Sequence, residues 1–451
     1  MRSAVTAGAA NEQAPEAHDG AHEPKRVVTS VSPQPFPPAG WLADIGLGLT
    51  VFLLMTLSPL ALIELGFSYG EAGGTPIEKI HPGTVLAALV LMATLPTQGN
   101  PLRWLEAEAA RTPVLVFYAL AIALLMAHTV LVVKLPFTPL IDTFIGPLII
   151  FLLYRQMPEQ RGRKLAYLLH AIMLANALIG IGEYATGLRI TPLVAAGVVI
   201  DDDWRSTALL GHPLSNASLT GAYILILSLG SGRDLPPSAR PLALILCAAA
   251  MVVFGGRAAT VLLLGILAML AVQRLARVVT GARFNPQSIL AALIAIPIAA
   301  IALAGLAEAG FFDQFIERFI DDKGSSEART ELIELFRHIS WHDLMLGPDA
   351  RQIETLLSLY GIDFGIESFW VAYTLTNGII VSQFFFVGLM LFCREIQLAV
   401  RPGGGWVLVF FFLVASTSVS LSAKSPLLAV LTLMMLILMR DPKIDEEPHA
   451  R

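Results

Sequence analysis

Charge is scarce in this chain: Asp, Glu, Lys and Arg make up 14% of its 451 residues, where a soluble domain carries roughly a quarter. That scarcity excludes an ordinary solvated domain, and 55% hydrophobic residues with a mean hydropathy of +0.69 point to lipid as the solvent. Cysteine is nearly missing. The two present, Cys247 and Cys393, sit inside apolar runs, which argues against a disulfide framework or a thiolate metal site and for buried free thiols. Strong alternation of polar and apolar residues is also missing, which excludes a membrane barrel. The chain shows no repeat of the solenoid kind. Residues 1–40 carry Pro, Ala, Glu and His without an apolar run, so the core of a cleavable signal peptide is absent and a disordered cytoplasmic tail is expected.

What is present is a series of twelve apolar runs, near 41–65, 80–95, 113–133, 137–154, 165–185, 214–229, 241–254, 258–272, 289–306, 369–392, 406–421 and 426–439. A helix needs roughly 20 such residues to cross a bilayer, and backbone groups in hydrocarbon must be paired within the segment. The expected fold is therefore all-α, a polytopic integral membrane helical bundle. Residues 41–310 would hold spans one to nine and 369–440 spans ten to twelve, with one large loop at 311–368 and a cytoplasmic tail at 441–451. Cationic loops stay cytoplasmic. With the N-terminus inside, Arg155, Arg161, Arg163, Lys164, Arg274, Arg277, Arg283, Arg440 and Lys443 fall inside and the 311–368 loop faces outward.

That loop is the one long polar insertion. Phe311, Phe312, Phe315, Ile316, Phe319 and Ile320 recur at helical spacing opposite Asp313, Glu317, Arg318 and Asp321, a pattern that suits a helix in the membrane interface or a packing helix of a small outer subdomain. A second helix is expected from Ser326 through Arg329 to Phe336, and Asp349 with Gln352 has the form of a capping box for a third that runs to Tyr360.

Several charged positions fall at the outer ends of spans. Arg257, in Phe-Gly-Gly-Arg-Ala-Ala-Thr, lies between two apolar runs. An arginine there must snorkel or meet an anion, and the two glycines favour close approach of a ligand. Glu367 precedes the tenth span in Gly-Ile-Glu-Ser-Phe-Trp; partial desolvation would move it toward a general base, and a solvated loop-end acid is the alternative. Arg329 on the second loop helix and Lys424 in Leu-Ser-Ala-Lys-Ser-Pro are candidate anion ligands or, respectively, a surface charge and an interface anchor. Trp204, Arg205 and His212 follow the triplet Asp201, Asp202, Asp203, which reads as solvated charge before it reads as a cation site. His338 and His342, four apart, would share a helix face, but no third metal ligand is in view. Glu183, Asp142 and Glu64 lie in or at the ends of spans, where proton-coupled transporters keep acids; pairing to backbone or to a neighbouring cation is the plainer account.

In this arrangement the chain resembles the O-antigen ligase and polymerase superfamily of bacterial envelope glycan assembly, in its Wzy-type, VpsF-like exopolysaccharide branch. The resemblance is carried by Phe-Gly-Gly-Arg257-Ala-Ala-Thr opening a span, by Arg329 followed by Trp341-His342-Asp343-Leu344-Met345-Leu346-Gly347 in the outer loop, and by Gly211-His212-Pro213-Leu214-Ser215-Asn216-Ala217 opening a middle span. It is clear from Ser206 onward. The ligases of that superfamily place a histidine eleven residues before a glycine at the next span; here Glu367 precedes Gly378 by that interval, a departure that leans toward polymerase.

The resemblance implies a GT-C-like fold in the bacterial inner membrane. It also implies glycosyl transfer on the periplasmic side, from an undecaprenyl-diphosphate-linked oligosaccharide to a lipid-linked glycan acceptor. In this scheme Arg257 and Arg329, with Arg205 and Lys424 as weaker candidates, bind the diphosphate. Glu367 accepts the acceptor's proton, and His212, Trp204, His342 and Trp370 contact glycan. A diphosphate leaves without protonation, so the scheme calls for no cofactor and no metal. Its partners are the lipid-linked donor, membrane lipids, and a chain-length regulator or export machinery, with no nucleic acid. The other readings are an O-antigen ligase, a secondary transporter and a non-catalytic subunit of a polysaccharide assembly complex. The single large loop breaks the two-half symmetry that many transporters show.

Overall fold

Proline and a polar cap start many of the helices. Ser58 accepts the Ala61 N–H ahead of Pro59, His81 the Gly83 N–H ahead of Pro82, Asn100 the Leu102 N–H ahead of Pro101 and His212 the Leu214 N–H ahead of Pro213. In each case the ring replaces an N–H that would have no partner in a first turn. The structure, a computed structural model, describes residues 40–70, 73–195, 198–200, 203–280, 304–320, 335–360 and 366–440.

In chain order the helices are α1 (Trp41–Thr56), α2 (Pro59–Glu64), α3 (Pro82–Thr94), α4 (Pro101–Arg111), α5 (Pro113–Val133), α6 (Thr138–Tyr154), α7 (Glu159–Thr186), α8 (Pro213–Ser228), α9 (Ala239–Phe254) and α10 (Arg257–Val279). They continue as α11 (Asp313–Ile320), α12 (Trp341–Leu346), α13 (Ala350–Leu359), α14 (Phe369–Leu398), α15 (Gly404–Ala415) and α16 (Leu427–Leu438). The described strands are a two-residue antiparallel pair, β1 (Val194–Ala195) with β2 (Val198–Val199).

The described residues are mostly helical, and four helices are long and apolar enough to cross a membrane: α5, α7, Arg257–Arg277 of α10, and α14. A fifth arises if Pro82–Thr97 and Pro101–Arg111, bent by 106°, count as one broken span. The twelve runs of the sequence do not become twelve such helices. Helices of 12 to 16 residues, as in α15, α16, α1 and α9, rise only about 18–24 Å at 1.5 Å per residue, short of a hydrocarbon core of about 30 Å. The 41–65 run is cut by Ser58-Pro59 into α1 and α2. Most of the ninth run lies outside the described residues. Helix α4 fell in a stretch with no expected span; its Glu108 is buried in an ion pair with Arg155.

Aromatic side chains and small residues hold the helices together. Tyr118 of α5 stacks on Phe392 of α14 at 4.5 Å, and Phe144 of α6 meets Phe385 at 4.6 Å. Gly388 lets α14 approach α5 so closely that a Cβ there would lie 2.9 Å from that of Ala121, the role small residues play where helices pack in lipid.

Helix α7 separates two polar ends. At the Glu159 end, Arg161 pairs with Asp44 at 2.5 Å, Arg163 with Glu159 at 3.1 Å, and Arg274 donates to the Ser228 carbonyl at 2.5 Å. At the Glu183 end lie the 187–212 segment and the Gly255 turn. The residues from Leu335 to Tyr360 sit on the first turns of α14 around a small core of Leu335, Ile339, Ile366 and Leu375.

That subdomain is fixed by a break in α14. Gly378 has φ +73 inside the helix, and Gly347 at the end of α12 has φ +94. A Cβ on Gly378 would meet the Met345 carbonyl oxygen at 2.5 Å. Backbone therefore lies on backbone here, with His128 Nε2 reaching the Leu346 carbonyl at 2.9 Å and Thr129 donating to Asn377 Oδ1 at 2.9 Å.

Candidate functional site

One carboxylate pairs much of the described backbone between residues 187 and 212. Glu183, in the last turn of α7 and only 6% exposed, accepts the N–H groups of Ile190 at 2.8 Å, Thr207 at 2.9 Å and Ala208 at 2.8 Å. Asn176 Oδ1 accepts the Leu209 N–H at 3.0 Å, Asn216 Nδ2 donates to the Thr207 carbonyl at 2.6 Å, and Ser206 Oγ donates to the Gly180 carbonyl at 2.6 Å. These side chains supply the pairing that an irregular backbone next to apolar helices requires.

The ordered segment presents Trp204 and Arg205. The Arg205 guanidinium grips Asp203 by donating from Nε to Oδ1 at 3.0 Å and from a terminal nitrogen to Oδ2 at 2.5 Å, a bidentate charge-assisted pair. Its stem lies on Gly255, where a Cβ would come within 2.9 Å of it and 3.1 Å of the Trp204 ring. Gly255 has φ +63 and ends α9; Gly256 lies against Ala217; half-buried Arg257 opens α10. Thus Trp204, Arg205 and the Gly255-Gly256-Arg257 turn meet at one place, although 50 residues separate them in the chain. The triplet's third member, Asp203, is the partner of Arg205 rather than solvated charge; Asp201 and Asp202 lie outside the described residues.

A cavity of about 890 Å³ opens beside this junction, lined by Glu183, Tyr184, Arg189, Asp203, Trp204 and Gln314. Arg189 is held by the Ile200 carbonyl at 3.1 Å. Tyr184 meets Trp204 edge-on at 5.9 Å and Phe311 at 5.7 Å, so the residues preceding α11 close on the same wall. Aromatic faces beside several polar groups are what a sugar, apolar on its ring faces and hydroxylated at its edges, can use.

On the other side of the segment a smaller, more apolar cavity of about 280 Å³ is lined by Ser58, His212, Ser215, Ser420 and Lys424. Burial pushes the His212 imidazole down to about 4, with nearby Arg205 adding to it and Asp203 opposing, so His212 is neutral at neutral pH, with Nδ1 occupied by the Leu214 N–H at 3.2 Å. Lys424 donates to the carbonyls of Tyr69 at 2.6 Å and of Lys79, with its ammonium 3.5 Å from the Tyr69 ring centroid. Burial lowers its pKa to about 8, with Asp142 opposing and Lys79 adding. Asp142 accepts the Tyr69 hydroxyl at 3.0 Å and the His81 N–H at 3.1 Å. Lys424 thus ties the loop between α2 and α3 to the turn before α16, as an anchor.

The other sequence candidates are spread more widely. Arg329 lies outside the described residues. Glu367 is half-buried ahead of α14, next to Ile366, whose carbonyl takes the Ser422 hydroxyl at 2.7 Å; neither it nor Arg257 lines either cavity. Trp370 donates its indole N–H to Ser416 at 2.7 Å and packs among Phe369, Phe386 and Phe412. His342 is exposed beside Asp343 at 3.4 Å. His338 and His342 do not share a helix face: His338 ends a single tight turn, Ile339 is extended, and Ser340 caps α12 anew by accepting the Asp343 N–H. Among the described residues no three His, Cys, Asp or Glu side chains are grouped to hold a metal.

Nothing in the sequence pattern singled out Asn176, Tyr184 or Arg189 as members of this site. No known protein family matches the chain, and no characterised protein matches it in sequence.

Proposed function

We propose that this chain is a membrane-embedded glycosyltransferase of polysaccharide assembly, a polymerase that transfers glycan from a polyprenyl-diphosphate-linked donor to a lipid-linked acceptor. The observation that carries this is the junction of Trp204, Arg205 and the Gly-Gly-Arg257 turn beside a large polar cavity with aromatic walls, at one end of a bundle of apolar helices. A lipid-linked glycan needs such a combination: apolar surroundings for the carrier, cations for its diphosphate and a broad wet cavity for several sugars.

In the reaction, the acceptor hydroxyl attacks the donor's anomeric carbon, the bond from that carbon to the diphosphate oxygen breaks with inversion, and the hydroxyl proton passes to Glu367. Charge grows on the departing diphosphate, so guanidinium groups that bind oxygen through two N–H groups are the suited ligands. Arg257 and Arg329 take this role. Arg205, already held by Asp203, shapes the junction and is a weaker anion ligand; Lys424 is weaker still.

A secondary transporter is the second reading, favoured by the break in α14, since such proteins bind solute at interrupted helices. Two facts oppose it. The break is filled by the Met345–Gly347 backbone, and the buried acids Asp142 and Glu183 are already occupied by hydrogen-bond donors.

The test is polymer formation in cells that lack the native protein. Arg257→Lys keeps the charge and loses the fork, and Glu367→Gln loses the base; each should leave single repeats on the carrier lipid. Polymer of normal amount and length from both variants would overturn the assignment, and solute uptake into proteoliposomes without any lipid-linked donor would favour the transporter.

A further inference from the structure

The end of the bundle opposite the junction holds a second polar cavity, of about 440 Å³, where Arg163, Arg233, Arg401 and Arg440 meet. They come from α7, from the turns after α8 and α14, and from the end of α16, so only the fold collects them. Two carboxylates share the cavity, Glu159 and Asp234, and both are taken by Arg163, at 3.1 and 3.8 Å. Among the described residues, Arg233, Arg401 and Arg440 have no carboxylate in ion-pair range.

Arg440 carries the inference furthest. Its Nε and one terminal nitrogen are shut off from solvent and have no hydrogen-bond partner, a condition that destabilises a fold unless something accepts from them. The guanidinium rests on Gly162, where any Cβ would overlap it, so the backbone makes room for the charge. Beside it, Ile437 and Leu438 give the cavity an apolar wall.

We propose that this cavity binds a phosphate-bearing anion, with Arg440, Arg401 and Arg233 as its ligands. Guanidinium forks match phosphate oxygens in pairs, and basic pockets between membrane helices are suited to anionic headgroups. The same chemistry is offered by a lipid headgroup and by free phosphate. The site is independent of the proposed glycan transfer, which lies at the other end of α7.

The test uses the purified full chain in detergent, with native mass spectrometry and thermal unfolding against phosphatidylglycerol, phosphatidylcholine and inorganic phosphate. Phosphatidylglycerol should be retained about tenfold more than phosphatidylcholine if the site takes a lipid headgroup, whereas phosphate alone should stabilise the chain if it takes the free ion. Arg440→Gln and Arg401→Gln should each weaken the retained ligand about tenfold, the step expected for one lost charge-assisted contact. Exposed Arg233→Gln provides the same readout should the deeper variants fail to fold, and Arg103→Gln, on exposed α4 surface, should change nothing. Equal retention of both lipids with no response to phosphate, or wild-type preference in well-folded Arg401→Gln and Arg233→Gln, would overturn the proposal.

Discussion

Removing the Glu183 carboxylate should loosen the segment that carries Trp204 and Arg205 before it affects anything else. In Glu183→Ala, three N–H groups at 2.8 to 2.9 Å lose their acceptor, each worth about 1–3 kcal/mol when left unpaired. Water from the adjoining cavity can reach some of them, so the net loss should be about 3–5 kcal/mol rather than the full sum. Glu183→Gln differs in kind. One oxygen of Glu183 serves both Thr207 and Ala208 while the other serves Ile190, so an amide can keep its carbonyl on the first two and must turn its own N–H groups toward the third. Hydrogen exchange of the protein in detergent distinguishes these cases. In the alanine variant the amides of Ile190, Thr207 and Ala208 should exchange about a hundredfold faster, the equivalent of about 3 kcal/mol; in the glutamine variant only Ile190 should. Unchanged exchange at Thr207 and Ala208 in Glu183→Ala would show that the carboxylate does not organise this segment. Under the proposed function, polymer formation should fall with the loss of protection, because the cavity wall hangs from the same backbone.

Gly378→Ala should be severely destabilising, by about 3 kcal/mol or more, since it adds the strain of a positive-φ, extended-ψ backbone open essentially to glycine alone, about 1–3 kcal/mol, to a collision with the Met345–Gly347 backbone; unchanged thermal unfolding would refute the packing of α12 into the break. Lys424 has a folded pKa of about 8, below the ordinary lysine value of about 10.4. Between those values the unfolded chain holds the proton that the folded chain has released, so stability rises with pH across that window and the gain is lost as pH falls through about 8. Unfolding temperatures measured from pH 7 to pH 10.5 should show this rise in the wild type and a flatter profile in Lys424→Met; identical profiles would remove Lys424 as the source.

The apolar runs were legible because burial in lipid demands long stretches of one residue class. Span number was less legible. Hydropathy counts apolar residues, whereas crossing a bilayer needs an unbroken rise along one axis, and Ser58-Pro59 or the 106° bend after Thr97 interrupts that rise without changing composition. The helix expected at 349–360 exists as Ala350–Leu359, but the shared face for His338 and His342 fails because Ser340 caps a new helix between them.

By itself the sequence determined a helical, lipid-adapted chain with its charges gathered at the helix ends, since solvation free energy acts on each residue where it stands. Tertiary structure alone decided which ends meet. Arg205 comes to rest on Gly255, Gly378 receives the backbone of Gly347, and four arginines from distant parts of the chain share one cavity, because these pairings depend on helix packing and on the space that missing Cβ atoms leave. Of the three acids that read as possible proton carriers, Glu183 and Asp142 proved to be acceptors for buried donors, a role fixed by neighbours far away along the chain, while Glu64 is exposed at the end of α2.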